Sequence, residues 1–292
     1  MYTNGSFCQY VKTPTDDCGT EALRLFFPTS GGYINYNIVH SVMQQSKCDT
    51  WRLSVVYYCN GDFERVKPLT RSGAEWEMAL KLSDRPDFIG GYAHGDEVYE
   101  RIVLKLDGEE KEITSLEALT EFGTLSLEVW SVGYDPLDSA TEAIRHYKKI
   151  IADGESVRVE QEVEWLESYQ LGRSYMAMFP PFKNVTDSYY TNTDTEKKPI
   201  GNKVSISETG SFDTLFLCGE SGFTFSLQVE KYLDGKENTF LITDNGGVPY
   251  NKMYFVLPHR GEVSRGETWK TVTVYKVNKK NSNGYSETKS SN

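Results

Sequence analysis

A succession of short runs in which apolar and polar residues alternate, each closed by a turn signal, is the feature that most limits the fold. WRLSVVYYC (51–59), VYERIVLKL (98–106), TLSLEVWSV (124–132), SVRVEQEVEWLES (156–168), FTFSLQVEKYL (223–233) and NTFLITD (238–244) are rich in β-branched and aromatic residues. A period of two turns one side of such a run toward a core and the other toward solvent. Asp-Gly pairs follow the second run (LDGEEKEI, 106–113) and join the last two (DGKE, 234–237). Asp-Gly between alternating runs is a hairpin signal, and hairpins pair strands antiparallel. The expectation is an all-β protein built as a large antiparallel β-sandwich.

One stretch reads differently. DSATEAIRHYKKIIADG (138–154) sets Ala143, Ile144, Tyr147, Ile150 and Ile151 on one helical face, with Ser139 and Glu142 as a capping box and Gly154 as a stop. One or two short helices are therefore expected beside the sheets, with His146 off the apolar stripe and in water. NKMYFVLPHRGEVSRGETWKTVTVYKV (251–277) reads as two closing strands joined by a Gly-rich loop. The following NKKNSNGYSETKSSN (278–292) has almost nothing to bury and is expected to be disordered. No Pro/Gly/Ser-rich linker divides residues 1–277, so a single domain is expected there.

The formal net charge of −11 lacks the basic footprint that phosphate backbones demand, so no nucleic-acid partner is expected. No run approaches the roughly 20 apolar residues of a membrane span, and no membrane partner is expected. The opening MYTNGSFCQY has neither the basic nor the apolar region of a secretory signal, which suggests a cytoplasmic protein. Cys8, Cys18, Cys48, Cys59 and Cys218 form no C-x-x-C pair and are read as reduced thiols. In an exported chain Cys8 and Cys18 would be placed to bridge a loop. The 19 tyrosines exceed what a core needs and suit a recognition surface.

PDFIGGYAHGDE (86–97) sets a histidine among glycines and acids. Glycine lets the backbone approach a ligand closely. His94 is of the type that moves protons near neutral pH. In an extended chain Asp96 shares its face while Glu97 points the other way. The stretch is either a polar turn entering the next strand or a catalytic centre of His94, Asp96 and Glu97. The H-x-D-E order lacks the i, i+4 spacing of histidine zinc motifs, so neither metal nor cofactor is expected. VEWLES (163–168) and LGRSYMAM (171–178) offer Glu164, Trp165, Arg173 and Tyr175. Aromatic faces stack on sugar rings, and charged groups bond their hydroxyls. Glu162 and Glu164 would equally form one solvated strand face. Trp51, Trp76, Trp130 and Trp269 sit in alternating patterns and are read as core. Nucleotide-binding loops, dinucleotide fingerprints and the G-x-S-x-G elbow do not occur.

Taken together, EQEVEWLESY…SYMAMFP, DFIGGYAHGDE and RGETWKTVTVYKV resemble proteins of the galactose-mutarotase-like class. Aldose epimerases and domains of polysaccharide lyases and glycoside hydrolases share that class. The resemblance implies a mutarotase-like supersandwich that binds a saccharide in a groove around His94. Tyr92 and Arg173 would serve as binding partners, and His40 or His259 as a second histidine. In the epimerase pattern a carboxylate takes the anomeric proton and a histidine gives one to the ring oxygen. YNIVHSV around His40 and VLPHRGE around His259 do not reproduce the family's histidine motifs. A lyase would use His94 and Tyr92 as base and acid, with Arg173 and Arg260 neutralising a uronate carboxylate. The implied function is a carbohydrate-binding protein, either an enzyme of epimerase, lyase or hydrolase type, or a non-catalytic binding or assembly module.

Overall fold

The computed structural model describes residues 5–14, 19–43, 47–74, 76–85, 87–90, 97–201, 205–233, 237–243, 247–258 and 260–280. A 16-stranded sheet carries most of them. Its left half places Ser6–Lys12, Glu21–Thr29, Gly32–Met43 and Cys48–Cys59 side by side in chain order. Its right half continues with Glu97–Leu106, Leu125–Asp135, Asp138–Ala152, Val157–Trp165, Thr268–Lys279, Phe223–Lys231 and Thr214–Cys218. The two halves meet at a single parallel bridge, Asp49 to Val98, while the neighbours within each half pair antiparallel. A second, four-stranded antiparallel sheet orders Tyr175–Phe179, Lys252–Val256, Asn238–Thr243 and Ser205–Gly210.

Alternation explains how the sheets find each other. Val157, Val159, Val163 and Trp165 of one strand are buried, as are Leu125, Leu127 and Val129 of another. Phe179 of the small sheet meets Phe225 and Tyr275 of the large one at ring-centroid distances of 5.8 and 5.6 Å. Trp76, fully buried, joins them at 4.6 Å from Phe179. Each such ring contributes about 1.5–3 kcal/mol by leaving water. The Asp-Gly turn expected after residue 106 is present: Asp107 and Gly108 both take positive φ, 51° and 85°. That twist matches the strands Glu97–Leu106 and Glu109–Lys111 it joins.

Two expectations are corrected. No α-helix occurs among the described residues, and Asp138–Ala152 is a strand hydrogen-bonded on both sides. Its inward residues are Ile144, His146, Lys148, Ile150 and Ala152. The helical pattern competes well because period two requires a histidine and a lysine to enter the core. Partners on neighbouring strands make that burial tolerable, and pairing on both edges then overrides local propensity. The last strand also runs through Lys279, so Asn278 and Lys279, assigned by sequence to the tail, pair with Thr224 and Phe223.

Cys8, Cys48, Cys59 and Cys218 are buried free thiols, and Cys18 lies outside the described residues. Burial, aided by Asp107, pushes the Cys8 thiol up to about 12. These side chains act as small apolar fillers.

Candidate functional site

The residues proposed from sequence separate into distinct environments. Tyr92, His94, Asp96 and His259 lie outside the described residues. Glu97, expected as a catalytic partner, is 1% exposed at the start of its strand. Its carboxylate accepts from Ser131 Oγ at 2.6 Å and lies 3.0 Å from His146 Nδ1 and 3.9 Å from Lys148 Nζ. His146 Nε2 faces Gln161 Oε1 at 3.2 Å. Gln161 Nε2 donates to the carbonyls of Glu77 and Met176, which orients the amide. Both ring nitrogens therefore face side-chain oxygens. His146 and Lys148 are each 2% exposed, which corrects the expectation of a solvated His146. Burial pushes the Glu97 carboxyl up, but Lys148, His146 and Ser131 outweigh it and hold it well below the usual carboxylate range. This cluster is sealed from substrate, so in this environment Glu97 serves the fold.

Trp165 is corrected as well. At 0% exposure it meets Tyr169 and Trp269 at 5.9 and 5.2 Å, so no face is left for a sugar. Glu164, on the same strand with opposite phase, is exposed and lies 3.4 Å from Arg145. His40 sits between Glu21 (Nδ1–Oε2 3.3 Å) and Asp49 (Nε2–Oδ1 2.6 Å), its ring stacked on Trp51 at 5.2 Å. The two carboxylates occupy opposite ring nitrogens and do not converge on one point, as metal ligands would.

Arg173, Tyr175 and Arg260 do come together. Gly172 N–H donates to Lys81 O, and Ser174 Oγ accepts from Lys81 N–H, each at 2.8 Å. Leu257 N–H donates to Ser174 O, also at 2.8 Å. These bonds tie the turn that presents Arg173 to two neighbouring segments. The Arg173 and Arg260 guanidinium groups stand near enough for their charges to bear on the Tyr175 phenol. The net direction of the Tyr175 phenol is upward, through burial first, with the two guanidinium groups opposing. The Tyr254 ring, from the paired strand Lys252–Val256, lies 4.7 Å from that of Tyr175. Lys252 Nζ stands 5.0 Å from the Tyr254 centroid. Both arginines are exposed and both tyrosines half-buried. Among the described residues no carboxylate pairs with Arg173 or Arg260. In a chain of net charge −11 this is a cationic patch beside two rings that no carboxylate of the described residues pairs. Such a patch is equipped to hold an anionic group against an aromatic floor.

Sequence reasoning missed Tyr254 and Lys252. The pairing of KMYFV with YMAMF brings Tyr254 to Tyr175, with Lys252 beside Tyr254, and no local pattern announces that contact.

No protein-family model and no curated protein sequence matches the chain. Solved structures that overlap most of it include a heparan sulfate lyase from Pedobacter heparinus, at TM-score 0.49 and 9% identity over 93% of this chain. A galactose 1-epimerase from Lactobacillus acidophilus NCFM overlaps 94% of this chain and 99% of its own, at TM-score 0.42 and 9% identity. An aldose epimerase homologue from C. elegans overlaps 94% of this chain and 100% of its own, at TM-score 0.38 and 10% identity. The chain spans 37% of the length of the heparan sulfate lyase. Aldose epimerases and a saccharide lyase are thus among its structural neighbours, as the mutarotase-like resemblance anticipates. At these scores and identities no activity or site passes from them to this chain.

Proposed function

We propose that this chain is a carbohydrate-binding protein that takes an acidic saccharide at the patch formed by Arg173, Tyr175, Tyr254 and Arg260. One observation carries this: two exposed arginines without carboxylate partners among the described residues bring their charge to bear on Tyr175, whose ring packs on Tyr254 at 4.7 Å. A guanidinium pairs a carboxylate or sulfate by charge-assisted hydrogen bonds, while a phenol ring stacks on the apolar face of a pyranose. A bond of that kind to a charged group contributes about 1.5–3 kcal/mol, or roughly tenfold to a hundredfold in affinity. Calorimetric titration should show polygalacturonate binding and neutral dextran not binding. The Arg173→Ala/Arg260→Ala double variant should bind at least about tenfold more weakly at unchanged melting temperature. Binding of the variant equal to that of the parent, or silence toward acidic saccharides, refutes the proposal.

The enzymatic extension of this function rests on His94, with Asp96 and Tyr92 beside it in sequence. If acidic saccharide is cleaved by elimination, ultraviolet absorbance should report the unsaturated product. His94→Ala should then abolish turnover while leaving affinity within about tenfold. Saccharide binding without turnover in the parent protein assigns the chain to the non-catalytic class.

A further inference from the structure

The segments that present Arg173 and Arg260 also border a hollow at their far end. Leu171 bridges to Leu82 on one side and pairs with Gly261 on the other, so residues 81–83, Tyr169–Leu171 and Gly261–Val263 make a small three-stranded ladder. Arg173 follows the middle segment and Arg260 precedes the third, which puts both at one end of the ladder. At the opposite end residues 83–85, 168–170 and Glu262 line a hollow of about 520 Å³. Three residues separate Gln170 from Arg173, at most about 11 Å of extended chain. A single pyranose does not cover that span, whereas a short oligosaccharide does.

The frame of this hollow is fixed. Asp135, 3% exposed, accepts from Arg85 Nε and Nη2, each at 2.9 Å, and from Leu137 N–H at 2.8 Å. Arg85 Nη1 donates to Asp84, so the one cation of the lining has all three nitrogens engaged. Ser83 N–H donates to Gln170 O at 2.8 Å and ties two walls together. Burial first, then the charge of Asp135, pushes the Tyr169 phenol up to about 12, which keeps it a neutral hydroxyl. Ser83 and Gln170 are exposed, and neither side chain has a hydrogen-bond partner among the described residues. An amide and a hydroxyl both donate and accept, as the hydroxyls of a neutral sugar require. An acidic unit would meet Asp84 and Glu262 here with no guanidinium to spare. The two ends of the ladder therefore suit different sugar units.

We propose that the saccharide site runs from the arginine patch into this hollow, which takes a neutral sugar unit of the same ligand, so that the protein reads a mixed acidic and neutral oligosaccharide. This rests on the acidic-saccharide reading: the acidic unit lies at Arg173 and Arg260, and Ser83 and Gln170 bond the hydroxyls of a neutral unit further along. Three probes separate the two steps: glucuronic acid, xylotetraose, and aldotetraouronic acid, in which a glucuronate is carried on a short chain of xylose. In calorimetric titrations aldotetraouronic acid should bind at least about tenfold more tightly than either of the others, because only it reaches both ends. The Ser83→Ala/Gln170→Ala double variant, which alters only exposed side chains, should lose at least about fivefold for aldotetraouronic acid at unchanged melting temperature. Its affinity for glucuronic acid should equal that of the parent. Arg173→Ala/Arg260→Ala should instead weaken both acids. Equal affinity of the parent for glucuronic and aldotetraouronic acid, or a Ser83→Ala/Gln170→Ala variant that binds the latter as the parent does, overturns the extension and leaves the acidic-saccharide reading standing. Silence toward both acids overturns the two together.

Discussion

Replacing Glu97 by alanine is expected to lower the unfolding free energy by about 3–5 kcal/mol, read from guanidinium or urea denaturation. The cause is what stays behind. The carboxylate answers Ser131, His146 and Lys148 inside a shell where Glu97, His146 and Lys148 are at most 2% exposed. Without it a buried ammonium and an imidazole share one apolar cavity, and neither reaches water. Glu97→Gln should cost less, because the amide oxygen still accepts from Ser131 while only the charge is lost. A loss under about 1 kcal/mol for the alanine variant would show that water enters this cluster, and would reopen Glu97 as an accessible acid.

The same carboxylate carries a pH signature. Its folded-state pKa is depressed by Lys148, His146 and Ser131 against the opposing push of burial. A depressed carboxyl contributes stability that is fully present above the unfolded value, about 4.3 for glutamate, and is lost as pH falls through the folded value. The parent should therefore lose stability steeply on the acid side of that range. The loss should be shallower in Glu97→Gln when both are followed by denaturant midpoint against pH. Identical acid limbs would mean that Glu97 is not held ionised by these neighbours.

How much of this was legible depended on whether one pattern stood alone. In TLSLEVWSV, Leu125, Leu127 and Val129 take the inner phase, so Ser126, Glu128 and Trp130 must face out. In VRVEQEVEW, Val157, Val159, Val163 and Trp165 share one phase and Glu160, Glu162 and Glu164 the other. The alternation thus already placed Trp165 in the core and Trp130 at the surface. Trp165 is judged above by its charged neighbours instead of its phase, and Trp130 is read as core from the presence of alternation without assigning which phase it holds. DSATEAIRHYKKIIADG supported both periods, and pairing on both edges, with the carboxylate of Glu97, 49 residues away, answering the buried His146, decides for the strand. Likewise Arg173 and Tyr175 were visible as a cationic, aromatic pair, but Tyr254 joins them through sheet pairing. The sequence separation of that contact leaves no local trace.

The two tryptophans make the distinction measurable. Trp165→Ala should destabilise the protein by about 3–5 kcal/mol, the usual range for emptying a buried indole site. Its ring fills a cluster with Val163, Leu171, Leu257, Val263 and Trp269, while its main-chain N–H donates to Glu267 O at 2.9 Å and its carbonyl accepts from Gly266 N–H at 2.7 Å. These contacts come from three separate segments, so relaxation into the cavity would have to move several strands together. Trp130→Ala removes one cross-strand ring contact and one guanidinium stacked on an open face, worth about 1–2 kcal/mol together. Denaturant midpoints of the two variants, measured alongside binding of acidic saccharide, then separate scaffold from surface. Trp165→Ala should weaken acidic-saccharide binding only as far as it unfolds the chain, whereas Trp130→Ala should keep both the fold and that affinity. The opposite pattern, a stable Trp165→Ala that no longer binds saccharide, would return Trp165 to the binding groove that its flanking glutamates first suggested.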